Sequence, residues 1–544
     1  MTIITISGLS FFLTMALMPV FVHLAVRYSA YDIPDWRKIH HQPVPHVGGI
    51  VMTIGTFVPI LLYSIPGTQI RAYLAGAMIL ALYGLADDFK GLDYRLKFTG
   101  QIVASMIAIL YGGVKIIHLG SLLPGNIVIP EITSVIFTLL VIVGLTNAIN
   151  MSDGLDGLAG GICLLSFLCI CYLAYLEKDM NLVVIAAALA GSIYGFLLFN
   201  TYPASVFMGD TGSQVLGFSA AFLSLTLTQG HTSLSPLLPL VIFGFPILDS
   251  ITVTCRRLFS GRSPFIADKD HFHHQFVRMG LFHSEAVFTI YVIQSMMIVL
   301  AYILRFQSEW VILSICIAFS GLALTFFNAF DNKNLTIRRF DRINQIIKGR
   351  AQVWRENGRF IWMSYKSIQF GAPLLLIWTV FLCDKVPGYL SLSSGIAVIL
   401  FGAVWLINRK WSNQFLLILI YLSVPFLIYY SENHPASWTG NSIRFFYHLF
   451  FILLTAFSFL TLRFTRRQHG FKVNTRHYLV LFITLILFAL PEPDLRDQFG
   501  AVAVKMIMLL YIYEILLGEL RGKIGLLSFM TLSCLAIVAL RWFF

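Results

Sequence analysis

Apolar runs of about 20 residues recur from the first residues of this 544-residue chain to its last, and each is long enough for a helix to cross a bilayer core. Inside lipid every backbone N–H and C=O must be satisfied within the protein, which leaves helices and closed barrels as the spanning structures. The runs are continuous and not alternating, so a barrel is excluded. They are also far too many for a signal peptide or a soluble core. Only 12% of residues are charged, where soluble domains carry about 25%. The expected fold is an all-α polytopic membrane protein.

Spans are expected near 2–26, 46–65, 70–86, 98–118, 132–149, 157–176, 181–199, 213–228, 236–255, 285–304 and 309–330. A second series follows near 368–383, 388–407, 412–430, 441–462, 477–491, 499–518 and 524–542. This predicts about eleven helices in a first region, 1–330, and about seven more in a C-terminal region, 367–544, with no internal repeat. The connector between them, 331–366, is polar and basic. Within it Phe340, Ile343, Ile346 and Ile347 recur at helical spacing, a pattern that suits either a helix on an anionic membrane surface or a solvated connector.

The net charge of +12 would suggest nucleic acid only if it clustered on a soluble module, and none exists, so no nucleic-acid partner is expected. With the N-terminus outside, roughly three quarters of the 38 Lys and Arg fall in inside loops, the bias that orients membrane proteins. The seven cysteines lie in or beside apolar runs without CxxC spacing, and read as small buried hydrophobes.

Five segments expected on the inside face carry unusual polar groups. "YDIPDWRKIHHQPVPHVGGI" holds Arg37, Lys38 and His40. "GLADDFKGLDYRLKFTGQ" places Asp87 and Asp88 at one span end and Lys97 at the start of the next. "NAINMSDGLDGLAGG" carries Asn150, Asp153 and Asp156. "NTYPASVFMGDTGS" carries Asn200, Phe207, Asp210 and Ser213. "GRSPFIADKDHFHHQF" carries Arg262, Asp268, His271, His273 and His274. An Asp at mid-membrane costs roughly 2.5–3.5 kcal/mol on insertion scales, so such residues at span ends mark a site. In the third segment the Asn and Asp residues recur every three positions and glycines stand at 154 and 157. Steps of three rotate by about 60° on an ideal helix, so these side chains share a face only if the helix breaks near Asn150.

Clustered carboxylates and amides are hard oxygen ligands suited to Mg²⁺ or Mn²⁺, with water and phosphate completing the shell. Lys97, Lys38, Arg262 and the histidines supply cations or donors for phosphate oxygens. Together they point to a diphosphate substrate and phosphoryl transfer. The histidines also admit a transition-metal reading, since HxHH puts His271 and His274 on one helical face. The basic surroundings favour a diphosphate.

At these residues the chain resembles the polyprenyl-phosphate N-acetylhexosamine-1-phosphate transferase superfamily, within it the branch of bacterial WecA- and TagO-like GlcNAc-1-phosphate transferases. The resemblance covers about residues 1–330 and rests on "GLADDF", "NAINMSDGLDGLAGG", "FMGDTGS" and "HFHH" in order. It does not reach the later spans. It implies a bacterial cytoplasmic-membrane enzyme with an outside N-terminus and a cytoplasmic active site. The reaction implied is attack of undecaprenyl phosphate on a UDP-N-acetylhexosamine, most simply UDP-GlcNAc, releasing UMP and starting a cell-surface glycan. By resemblance Asp87 and Asp88 lie near the lipid phosphate, one of them a candidate base. Asp210 is the principal Mg²⁺ ligand, joined by Asn150. Asp153, Asp156 and Phe207 lie near the nucleotide, while Lys97 and the three histidines handle the diphosphate. "HFHH" differs from the three successive histidines of the peptidoglycan-precursor branch, which favours a UDP-N-acetylhexosamine over a peptide-bearing nucleotide. A homo-oligomer and docking of downstream glycosyltransferases stay open as partnerships. A membrane prenyltransferase accounts for the Asp-rich motifs but leaves "FMGDTGS" and the histidines unexplained. A transporter or flippase would line both leaflets with polar groups, whereas the acidic residues here gather on one face.

Overall fold

The computed structural model describes residues 2–27, 31–32, 44–124, 127–230, 232–259, 261, 271–333, 358–384, 386–407, 409–464, 501–520 and 525–541. It is a helical membrane protein. Among the described residues eight helices are long and apolar enough to cross a membrane, and five shorter apolar helical segments accompany them. The described helices fall into two compact units, one within Met1–Arg339 and the other within Phe340–Val473 and Ile483–Phe544.

The first unit contains α1 (Thr2–Arg27), α2 (Gly48–Tyr63), α3 (Thr68–Lys90), α4 (Tyr94–Met106), α5 (Glu131–Met151), α6 (Leu158–Leu176), α7 (Met180–Asn200) and α8 (Gly209–Gln229). After these come α9 (Pro239–Ile242), α10 (Gly244–Phe259), α11 (Phe272–Arg278), α12 (His283–Leu304) and α13 (Glu309–Lys333). One departure from an all-helical fold is a two-stranded antiparallel ribbon, β1 (Tyr31–Asp32) with β2 (Val44–Pro45).

α8 is the hub of the first unit, nearly all of it buried between α2, α3, α5 and α6. Lipid tails are as apolar as leucine, so helices associate through close packing and hydrogen bonds. A β-carbon on Gly49 would lie 2.6 Å from Gly212 Cα, and one on Gly217 would lie 2.6 Å from Thr146 Cα. α2 and α5 therefore meet α8 backbone to backbone. Hydroxyls supply the rest: Ser192 donates to the Met52 carbonyl at 2.8 Å and Ser10 to the Ala188 carbonyl at 2.5 Å.

The single span expected at 236–255 is instead two helices, broken at Phe243. Pro246 has no N–H to offer the carbonyl of Ile242, which frees an acceptor inside the bundle. Gln294 Nε2 from α12, at 2.7 Å, and Ser166 Oγ from α6, at 2.9 Å, satisfy it. The span expected at 98–118 is helical only to Tyr111, its last turn a wide one over Ile107–Tyr111. Gly112 and Gly113 follow, and Gly113 has a φ of +71°.

The second unit contains α14 (Gly358–Leu382), α15 (Gly388–Ile407), α16 (Arg409–Asn433), α17 (Asn441–Phe464), α18 (Ala501–Leu520) and α19 (Gly525–Leu540). Its core joins α14 to α17 and α19, and α16 to α18, through aliphatic and aromatic side chains. Lys505 is buried and paired with Glu432. The span expected at 477–491 and most of the connector, including Phe340, Ile343, Ile346 and Ile347, lie outside the described residues.

Candidate active site

α5 ends at Met151 and α6 starts at Leu158, so the turn 152–157 interrupts what would otherwise be one long helix. Gly157 sits at φ +80°, where a side chain would be strained. Two buried side chains pin the turn. Asn200, the last residue of α7, accepts the Gly157 N–H at 3.0 Å, and Tyr291 of α12 donates to the Gly157 carbonyl at 2.6 Å. Asn200 also donates to the Val206 carbonyl at 2.9 Å. It is thus a brace between two loops, with both ends of its amide engaged.

Asn150 lies in the final turn of α5, where Nδ2 donates to Asp210 Oδ1 at 2.9 Å and to Ser213 Oγ at 2.8 Å. Asp210 opens α8. Its second oxygen, Oδ2, accepts from Lys97 Nζ at 2.7 Å, and the same ammonium pairs with Asp87 Oδ2. Asp87 is buried, and its Oδ1 takes the Leu92 N–H at 2.6 Å. Lys97 therefore bridges two carboxylates from different helices.

Asp88, next to Asp87 on α3, turns to a different task. Its carboxylate accepts the Asp210 N–H at 2.7 Å, the Thr211 N–H at 3.1 Å and the Thr211 hydroxyl at 2.6 Å. The first amides of a helix have no partner within it, so Asp88 caps α8 from a neighbouring helix. Gly209 (φ +70°) makes the approach possible, since a β-carbon there would fall 2.7 Å from Asp88 Oδ1.

Phe207 joins the site through its backbone. Its N–H donates to the Pro45 carbonyl at 2.9 Å and its carbonyl accepts from Gly48 at 3.0 Å, while its ring lies 5.6 Å from that of His46. Asp156 accepts the Ala204 N–H at 2.9 Å. The Asp153 carboxylate has no hydrogen-bond partner among the described residues. Burial, and then the charges of Asp210, Asp156 and Asp88, push it up to about 7. Near neutrality it can donate or accept a hydrogen bond.

The histidines arrange themselves differently from the one-face expectation. His271 is the residue before α11 and not part of it, so it does not share a helical face with His274. Its Nδ1 meets Asp249 Oδ2 at 2.9 Å, and Asp249 Oδ1 caps α11 by taking the Phe272 N–H at 2.8 Å. His273 is buried against Gly154 of the turn, and neither ring nitrogen has a hydrogen-bond partner among the described residues. Burial, then His274, His271 and His283, hold it down to about 3. It is a neutral hydrogen-bonding group and not a cation. Its ring lies 4.2 Å from that of His274. No group of three or more His, Cys, Asp or Glu converges as a metal cage among the described residues. Lys38 and Arg262, with Arg37, His40 and Asp268, lie outside them.

Asp249, which no motif in the sequence marks, holds this histidine segment in place. It stands alone in an apolar stretch of α10 and is 1% exposed, and a carboxylate in such a place signals a bound partner. Asp249→Ala strands the Phe272 N–H and the His271 ring, and is expected to cost about 3 kcal/mol. Thermal unfolding in detergent checks this, with Asp249→Asn losing less because it keeps an acceptor.

These helices and this site define a class: a multi-pass membrane protein with an acidic, lysine-bridged cluster built from helix ends. A family model described as Glycosyl transferase family 4 matches residues 70–228. The chain is 33% identical over 307 residues to a probable undecaprenyl-phosphate N-acetylglucosaminyl 1-phosphate transferase of Bacillus subtilis, covering 55% of this chain and 83% of that one. It is 36% identical over 301 residues to a decaprenyl-phosphate N-acetylglucosaminephosphotransferase of Mycolicibacterium smegmatis, covering 49% and 73%. A third relative is the undecaprenyl-phosphate alpha-N-acetylglucosaminyl 1-phosphate transferase of Yersinia pestis, 30% identical over 347 residues, covering 62% and 92%. The chain belongs to this family of polyprenyl-phosphate N-acetylglucosamine-1-phosphate transferases.

Proposed function

We propose that the chain transfers N-acetylhexosamine-1-phosphate, most simply GlcNAc-1-phosphate, from its UDP-sugar to undecaprenyl phosphate, with release of UMP. The observation that carries this reading is the bridge from Asp87 through Lys97 to Asp210. It places two carboxylates and a cation at helix ends, where a lipid phosphate and a nucleotide diphosphate can meet. We assign residues 1–330, with eleven spans, to this reaction. The N-terminus lies outside and the site faces the cytoplasm of a bacterial inner membrane. The seven later spans carry no assigned chemistry.

The donor set fits Mg²⁺ or Mn²⁺. Hard oxygens of Asp210 and Asp87 already converge on one positive atom, and Asn150 adjoins them. Two or three protein oxygens are what an ion needs when water and substrate phosphates complete its shell. When bound, the metal neutralises the diphosphate and stabilises the departing UMP. The rest falls to the chain itself. Lys97 donates to phosphate oxygens, Asp87 orients the lipid phosphate, and Asp153, Asp156 and Phe207 surround the nucleotide. His273 offers neutral hydrogen bonds, with His271 and His274 beside it. A phosphate monoester has a second pKa of about 6, so the acceptor is largely ionised near neutrality. Positioning and charge therefore carry more of the rate than proton removal does.

Membranes holding the chain, given undecaprenyl phosphate, Mg²⁺ and a panel of UDP-sugars, are expected to form UMP and lipid-linked sugar in equal amounts. No UMP from these substrates, with inorganic diphosphate released once a prenyl diphosphate and an acceptor are supplied in their place, would show a prenyltransferase. Substrate movement across the bilayer without UMP would show a transporter.

A further inference from the structure

Two carboxylates that could receive a divalent cation are already spoken for by a lysine. Asp87 Oδ2 and Asp210 Oδ2 both face Lys97 Nζ, while their other oxygens are held by the Leu92 N–H and by Asn150. The three charges sum to about −1, so a free divalent ion meets a weakened field and must compete with a hydrogen-bonded ammonium. An ion that arrives already bound to a diphosphate meets a different situation. The diphosphate brings its own anionic oxygens, and the ammonium can move to them without losing an ionic partner. Lys97 is the member of the trio free to move. Its side chain is 33% exposed on a flexible stem, against 5% for Asp87 and 28% for Asp210, and Asp210 is on a short stem with its other oxygen held by Asn150.

We propose that Lys97 sets the order of filling: it serves as the internal counter-ion of Asp87 and Asp210, so that a divalent cation binds with the nucleoside diphosphate and not ahead of it. The inference rests on the reading of this site as one for a metal-bound diphosphate. It adds that metal affinity in the absence of nucleotide is held down by a residue of the chain.

The test uses the full chain in detergent, with Mn²⁺ as the metal and UDP as the diphosphate, and follows Mn²⁺ by its electron paramagnetic resonance. The wild-type chain is expected to bind Mn²⁺ at least tenfold more tightly with UDP than without. Lys97→Met is expected to bind Mn²⁺ alone at least tenfold more tightly than wild type and to lose most of the UDP effect, while Lys97→Arg stays near wild type. Equal Mn²⁺ affinity of Lys97→Met and wild type without UDP overturns the proposal. So does a wild-type chain that binds Mn²⁺ equally well with and without UDP, a result that needs no variant to fold. UMP release tests the transferase reading separately. A chain that forms UMP but shows neither Mn²⁺ effect rejects the filling order alone.

Discussion

Asp210→Asn is expected to lower UMP release by about a hundred- to a thousandfold, the scale on which removal of a principal electrostatic group is felt, while the chain remains folded. The fold survives because α8 is not held by this side chain. Its first amides are capped by Asp88, and its body is fixed by close contacts with α2, α3 and α5. What the substitution removes is the charge on which Lys97 and Asn150 converge. An asparagine keeps the volume and one acceptor oxygen, yet it cannot balance an ammonium or hold a divalent ion nearly as well. The check is paired: UMP release by the purified variant, and its thermal unfolding beside wild type. Near-normal turnover would remove Asp210 from the centre of the site. Lost turnover together with a collapsed melting transition would make its role structural.

The positions of the helices were legible because lipid leaves the backbone few options. Every expected span that falls on described residues overlaps a helix. The ends were less legible, since polar residues extend helices beyond the apolar run: α8 begins at Gly209 and α14 at Gly358, each several residues early. The break between α5 and α6 could be read from glycines and spaced carboxylates, because ideal helical geometry forbids those side chains a common face. The break at Phe243 could not, as its cost is hidden by Gln294 and Ser166, which come from elsewhere in the chain. The same non-locality governs the site. Composition gathers Asp87, Asp88, Lys97, Asn150 and Asp210 on one side of the membrane, but only the packing of α3 on α8 separates the neighbouring aspartates into different roles. Asn200 and Asp249 show this as well. Asn200 braces two loops, and Asp249, which no local motif marks, holds both His271 and the start of α11.

Asp88→Ala is expected to reduce turnover by a factor of about 100 or more and to destabilise the chain by about 3 kcal/mol, because three donors lose one acceptor group. The Asp210 N–H, the Thr211 N–H and the Thr211 hydroxyl occupy both oxygens of Asp88. Both oxygens of a carboxylate so engaged are taken, which leaves little room for a metal ion. Its contribution is the placement of Asp210: the backbone of that residue is fixed by Asp88, while its side chain faces Lys97. This account makes three demands that a base would not meet. Asp88→Asn retains one acceptor oxygen and should recover part of both losses. Thr211→Val, which deletes one of the three donors, should show a smaller version of the same defect, about 1 kcal/mol. The pH dependence of the residual rate in Asp88→Asn should parallel that of wild type, since on this account Asp88 moves no proton. Loss of the acidic limb of that profile in Asp88→Asn, with Asp87→Asn retaining it, would reverse the assignment and make Asp88 the base.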